Sequence, residues 1–237
     1  MTYTTLNKIT GCWMGIFLAS FLLMIACQSS NHSHDQDKGE NPAHEEEITN
    51  KAYDLFDGKT FTNWEGEMEH FRIEDNAIVA GSMEEKIPTN KFLCTEKVFG
   101  DFEMLIKAKF PTKNNNGGIQ IRSRRIPEHH EVIGYQVDVG YSLDKAVWAS
   151  IYDESRRRKF IAEAPEDRIN ALVRPTDFND YKIRCEGRNI KVWFNGELVV
   201  DYTEEDMEIA TDGIICVQIH GGPPSEAWYK DIQITEL

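Results

Sequence analysis

From Tyr53 onward the chain reads as short apolar or alternating runs broken by Gly, Asn, Asp and Pro, with hardly any sustained helical periodicity. That pattern predicts an all-β chain. Strands are expected over 71–73, 77–80, 92–95, 101–110, 118–122, 135–139, 148–152, 181–186, 189–194, 197–202, 213–220 and 228–236, enough for two packed sheets. Segment 163–176 has only a weak helical or irregular look. The clearest hairpin is 189–200, where Asn195-Gly196 is the strongest two-residue turn signal.

Three of these runs place polar residues where a second core face would otherwise be. Gly118-Ile119-Gln120-Ile121-Arg122, Tyr135-Gln136-Val137-Asp138-Val139 and Val217-Gln218-Ile219-His220 alternate apolar with polar at period two. If they share a sheet, Gln120, Arg122, Gln136, Asp138, Gln218 and His220 gather on one surface. Amides, a guanidinium, a carboxylate and an imidazole have fixed donor and acceptor directions that suit sugar hydroxyls, whereas a solvated face is usually built from Lys, Glu and Thr. The alternative is an ordinary solvated outer face. Asn114-Asn115-Asn116-Gly117-Gly118 reads as a tight turn before the first of these strands, with a calcium loop as the runner-up. Glu128-His129-His130-Glu131 has metal-type residues but no helical periodicity to set them on one face, so it is not read as a site.

The first 26 residues read as an export signal, with Lys8 ahead of an apolar run too short for a comfortable membrane span. The run closes on Leu23-Met24-Ile25-Ala26-Cys27, which resembles the bacterial lipobox; Cys27 is then the lipidated N-terminus, tethered without spanning. Residues 27–50 are a hydrophilic tether with almost no large apolar side chains. Residues 51–237 are expected to form one domain, placing the protein in the bacterial cell envelope, periplasmic or anchored to the outer membrane. A formal net charge of -14 excludes a nucleic-acid binder, which needs a basic field. The single basic cluster, Arg156-Arg157-Arg158-Lys159, is expected at a solvated rim. Cys94, Cys185 and Cys216 remain after export; three cannot all pair, and Cys185, in phase with Tyr181 and Ile183, is expected to be a buried strand thiol.

At this point the residues resemble the 3-keto-disaccharide hydrolase domain family. The likeness runs from Leu55 to Leu237 through Leu55-Phe56-Asp57-Gly58-Lys59 with Trp64, Phe99-Gly100-Asp101-Phe102-Glu103, Asn116-Gly117-Gly118-Ile119 with Arg122, Gly134-Tyr135-Gln136-Val137-Asp138, Phe178-Asn179-Asp180-Tyr181, Gly187 to Gly196, and Val217-Gln218-Ile219-His220-Gly221. The resemblance implies a concanavalin-like two-sheet antiparallel jelly roll whose groove handles glycosides oxidised at sugar carbon 3. Family members often carry Glu followed two places on by Gln where this chain has Gln136 and Asp138, and often Asp in place of Ile219. Trp148-Ala149-Ser150-Ile151-Tyr152-Asp153-Glu154 through Arg157 resembles a Gly-x-Leu-Tyr-Asp-Glu-x-x-Arg run of one branch, which offers Asp153 or Glu154 as a replacement acid.

A ketone at carbon 3 acidifies the carbon 2 hydrogen, so the resemblance implies cleavage by elimination followed by hydration. Asp138 or Glu154 is the expected base, and His220 the acid or a metal ligand. Arg122 or a divalent cation would hold the enolate, with Gln120, Gln136, Trp148, Tyr152 and Gln218 binding sugar. A divalent cation is the one cofactor the resemblance leaves open, a sugar 3-dehydrogenase is the implied pathway link, and the competing reading is a lectin-like module with Trp148, Tyr152 and Trp228 as stacking platforms.

Overall fold

Period-two alternation becomes strand faces throughout the structure, a computed structural model that describes residues 50–237. The expected signal segment, the Cys27 lipidation site and the tether up to residue 49 lie outside the described residues. The strands are β1 (Tyr53–Asp54), β2 (Trp64–Gly66), β3 (Phe71–Glu74), β4 (Ala77–Ser82), β5 (Lys91–Thr95), β6 (Phe102–Lys109), β7 (Asn116–Arg125) and β8 (Val132–Ser142). They continue with β9 (Lys145–Ala146), β10 (Ile151–Glu154), β11 (Phe160–Ala162), β12 (Asn179–Glu186), β13 (Asn189–Phe194), β14 (Glu197–Thr203), β15 (Ile214–Ile219) and β16 (Ser225–Glu236), with one helix, α1 (Glu166–Leu172).

One sheet runs β14-β13-β12-β6-β16-β4-β3 with β1 beside β16; the other runs β11-β10-β8-β7-β15-β5-β2 with β9 beside β8. The pairings along both paths are antiparallel, which makes the fold a two-sheet jelly-roll sandwich. The expected runs all reappear as strands, except that 148–152 enters its sheet only at Ile151, because Ala149 turns the chain with a φ of 63°. β1, β2, β9 and β11 went unpredicted; two or three residues are too few to display a period. In the β13–β14 hairpin, Asn195 and Gly196 take φ values of 47° and 92°, the left-handed pair that an Asn-Gly turn is chosen to supply.

The core lies between the sheets. Phe102, Met104, Ile106, Tyr181, Ile183, Ile190, Val192 and Phe194 project from the first sheet onto Ile119, Ile121, Val137, Val139, Ile151, Val217 and Ile219 of the second. Cys185 is buried among them, and burial pushes its thiol up to about 12, so it packs as an inert apolar side chain.

β7 and β8 are buried on both faces, against the expectation of a half-solvated sheet. The cause is a bulge. The β7–β8 register shifts between Ile121 and Arg124, and Arg122 takes a left-handed φ of 49°. Beyond it the hairpin tip lies over the outer face of its own sheet, where Val132 packs on Phe92, Cys94 and Cys216. Arg125 secures the tip by donating to the Phe92 carbonyl at 3.2 Å and to Glu65 at 2.8 Å. Cys94 and Cys216, directly opposed on β5 and β15, form a disulfide beneath this cover. Cysteine spacing alone did not reveal the pair, because the register that opposes the two is set by sheet topology across 122 residues.

Candidate functional site

The part of the outer face that the hairpin leaves open is a cavity of about 190 Å³ lined by Asn90, Asn116, Gln136, Asp138, Ser142, Tyr152, Glu154, Phe160 and His220. That is below the roughly 300 Å³ at which sites for drug-sized ligands begin, and it suits a single sugar ring. A larger hollow of about 500 Å³ lies against the other sheet, lined in part by Phe56, Asn76, Leu105 and Asp180. Its acids are occupied: Asp57 accepts the Lys59 and Thr60 amides, Asp231 pairs with Lys107, and Asp180 pairs with Arg174. We therefore place the chemistry in the smaller cavity.

Its floor is a directional chain of hydrogen bonds. Ser123 Oγ donates to Gln120 Oε1 at 2.9 Å, Gln120 Nε2 donates to Gln136 Oε1 at 2.7 Å, and Gln136 Nε2 donates to Asp138 Oδ1 at 2.6 Å. The chain fixes both amide orientations and leaves the second Asp138 oxygen for a ligand. Gly118 makes room for it: a Cβ there would lie 2.4 Å from Gln136 Cδ. Gly118→Ala is therefore expected to displace Gln136, costing about 1–3 kcal/mol of stability through overpacking and about tenfold in sugar affinity. Thermal unfolding and calorimetric sugar titration measure both; wild-type affinity in the variant would show that the amide chain does not shape the site.

Two carboxyl groups face this floor with their proton affinities raised. Asp138 is held well above the usual carboxylate range, first by burial and then by the negative charge of Glu154, while the Gln136 bond opposes the shift. Glu154 is pushed up to about 7, by burial and then by Glu131, with the Ser155 amide and hydroxyl opposing. The cavity thus pairs a buried acid whose proton is held more tightly than usual with Glu154, which is poised to exchange a proton near neutral pH.

The turn after β10 aims Glu154. Arg156 and Arg157 both clasp the fully buried Asp153, and Arg157 also pairs with Glu204. Tyr135 Oη donates to Glu204 at 2.7 Å and Tyr202 Oη at 2.8 Å. Burial works against a charge on Glu204, yet Arg157 and these donors hold it at about 2. Part of the basic cluster expected at a solvated rim is thus a half-buried brace, because two acids distant in sequence converge on it. On the opposite bank, His220 Nδ1 lies 2.6 Å from the Gly221 carbonyl, which can only accept, so Nδ1 is protonated and Nε2 is left for a ligand. Tyr152 and Phe160, with ring centroids 5.3 Å apart, form an apolar wall.

Asp138, Glu154, His220, Gln136 and Tyr152 therefore come together. The other expected site residues do not reach the cavity. Gln120 is buried and supports Gln136 from beside it. Gln218 is also fully buried, next to Gly118 and Phe92 on the covered part of the face, and its amide has no protein partner. Arg122 is turned out of phase by the bulge, bonds Asp101 at 3.0 Å and acts electrostatically on Cys185 of the other sheet, so it cannot hold an enolate here. Trp148 precedes its strand and is fully buried against Phe194 and Tyr141, a core side chain rather than a sugar platform. Trp228 belongs to the other sheet, with Lys109 Nζ 4.0 Å from its ring centroid.

Asn90, Asn116, Ser142, Phe160 and Glu131 were missed. Asn116 stood in the Asn-Gly-Gly signal as a turn residue, Glu131 stood in the Glu128-His129-His130-Glu131 run weighed only as a metal motif, and the others lie outside any alternating run. As for metal, among the described residues Glu67, Glu69 and His70 bring three donor atoms within 4.8 Å of one another, but on an exposed turn outside the cavity lining. Glu67 there is already paired with Lys91 at 2.6 Å.

The model of the 3-keto-alpha-glucoside-1,2-lyase-like domain matches residues 51–235. Among solved structures, a candidate glycosyl hydrolase from Parabacteroides distasonis is similar with a TM-score of 0.60 and 18% identity, covering 78% of this chain and 94% of that one. A carbohydrate-binding module from Bacillus subtilis is similar with a TM-score of 0.55 and 13% identity, covering 73% and 96%. A Bacillus subtilis protein of unknown function with a galectin-like fold gives a TM-score of 0.56 at 12% identity, covering 74% and 90%. At such identities these likenesses show the fold alone. No curated protein matches the chain.

Proposed function

This chain belongs to the 3-keto-alpha-glucoside-1,2-lyase-like domain family, and from that premise we propose that it cleaves 3-keto-glycosides by elimination and hydration. The observation that carries this reading is the pair Asp138 and Glu154, two carboxyl groups with raised proton affinity facing a cavity the size of one sugar ring.

Glu154, as carboxylate, removes the proton from sugar carbon 2, and the electron pair moves onto the carbon 3 oxygen as an enolate. Asp138, protonated by its burial, donates to that oxygen and offsets the developing charge. The enolate then re-forms the ketone, the bond from carbon 1 to the leaving oxygen breaks, and a carbon 1–carbon 2 double bond forms. His220, as the acid, hands a proton to the leaving oxygen from Nε2. Water adds at carbon 1 and a proton returns to carbon 2, so the sum is hydrolysis.

Export is supported by the Cys94–Cys216 bond, because disulfides persist in oxidising compartments. Lipidation at Cys27 would hold the domain at the envelope. An oxidoreductase acting on sugar carbon 3 must supply the substrate.

The competing reading, a non-catalytic sugar binder, draws on the Tyr152–Phe160 wall. The purified protein is incubated with a 3-keto-disaccharide and with its unoxidised parent, each with and without chelator. Cleavage of the oxidised sugar alone, through an ultraviolet-absorbing enone, is expected. Sugar that binds and returns unchanged would make the protein a binder, and cleavage lost on chelation would add a divalent cation to the site.

A further inference from the structure

Glu131 lies in the loop that joins β7 to β8, and its side chain is only 14% exposed. Asn90 Nδ2, from just before β5, donates to Glu131 Oε1 at 3.2 Å. Ser155 Oγ, from just after β10, lies 3.4 Å from Glu131 Oε2. One carboxylate thus ties together two banks of the cavity that belong to strands separated in the sheet by β8, β7 and β15. The same Ser155 reaches Glu154, its amide at 3.1 Å and its hydroxyl at 3.5 Å from Oε1.

Ser155 holds a left-handed φ of 54°, a conformation that glycine adopts freely and serine rarely. A glycine would suit that backbone better but would lack the hydroxyl that stands between the two acids. Strain of this kind is a recurring mark of functional sites.

We infer that Glu131 is a positioning residue: its carboxylate bridges the banks of the cavity and, through Ser155, sets the position and the charge surroundings of Glu154. The inference rests on the proposed role of Glu154. The charged and titratable groups around Glu154 are Asp138 from β8 and Tyr152 from its own strand, both of which its charge reaches, and Arg158 from the following turn and Glu131, which act on it, with His130 Nε2 3.2 Å from the Glu131 carboxylate. Among them Glu131 stands first after burial in raising the Glu154 pKa, as a like charge within one hydrogen-bonded bridge should.

The test uses the whole protein with ¹³C-labelled glutamate, following the Glu154 side-chain carbonyl by NMR against pH without sugar, beside the pH profile of kcat/KM on a 3-keto-disaccharide. Glu131→Gln keeps a hydrogen-bonding bridge and removes the charge, and should lower the Glu154 midpoint by about one unit. The acid limb of kcat/KM should move down with it. Ser155→Gly relieves the left-handed backbone, so its fold is expected to persist, while kcat falls about tenfold as Glu154 loses its fixed position.

Midpoints in Glu131→Gln within about 0.3 units of the wild type would overturn the inference, as would an unchanged kcat in Ser155→Gly. A midpoint that shifts as expected in a protein that turns over no 3-keto-glycoside would uphold the bridge and remove the proposed reaction instead.

Discussion

Glu154→Gln is expected to abolish turnover while making the fold more stable in mildly alkaline solution. A buried base of this kind contributes ~10²–10⁴ in rate, so kcat should fall by that order. Stability moves the other way because the folded state raises the Glu154 pKa from 4.5 to about 7. Between these values the folded chain keeps a proton that the unfolded chain has released, so stability falls as pH rises through that window and the penalty is complete above it. A shift of this size corresponds to an upper figure of ~3 kcal/mol.

Glutamine resembles the protonated acid in shape and carries no charge, so its gain should be absent near pH 4 and about 1–3 kcal/mol at pH 8. For a domain of this size that is a rise in Tm of roughly 3–10 °C. Thermal unfolding of both proteins at pH 4, 6 and 8 measures it. A difference that does not grow with pH would mean that Glu154 is not held protonated by the fold. Asp138→Asn should move stability in the same direction, since burial raises Asp138 as well.

Loss of the Cys94–Cys216 bond should produce the largest stability change available to a conservative substitution. The bond spans 122 residues, and a loop of that length confers ~4–5 kcal/mol by restricting the unfolded chain. Cys94→Ala with Cys216→Ala is therefore expected to lower Tm by about 8–15 °C. The effect should reach the site too, because Val132 rests on the disulfide and Glu131 is the residue immediately before it. Melting curves of the double variant, and of the wild type with and without reductant, provide the measurement. A wild type indifferent to reductant would show that the bond does not form.

What the sequence determined by itself was local: strand positions, the Asn195-Gly196 turn, and the polar face carrying Gln136, Asp138 and His220. Side-chain direction in a strand repeats every two residues, and turn preference resides in the turn residues themselves, so both can be read without knowing the neighbours. Glu154 and Tyr152 were reached through the family resemblance, and the structure brings them to the same cavity. The tertiary structure decided everything that depended on phase or on approach from a distance. One extra residue at the β7 bulge swings Arg122 out of the site, a turn at Ala149 sends Trp148 into the core, and the returning hairpin buries Gln218 and brings Glu131 between Asn90 and Ser155. The raised proton affinities of Asp138 and Glu154 belong to the same class, because desolvation and like charge depend on what the folded chain packs around them. No period in the chain encodes a bulge, a disulfide register or the charge of a neighbour from another strand or loop; these exist only once the strands have found their partners.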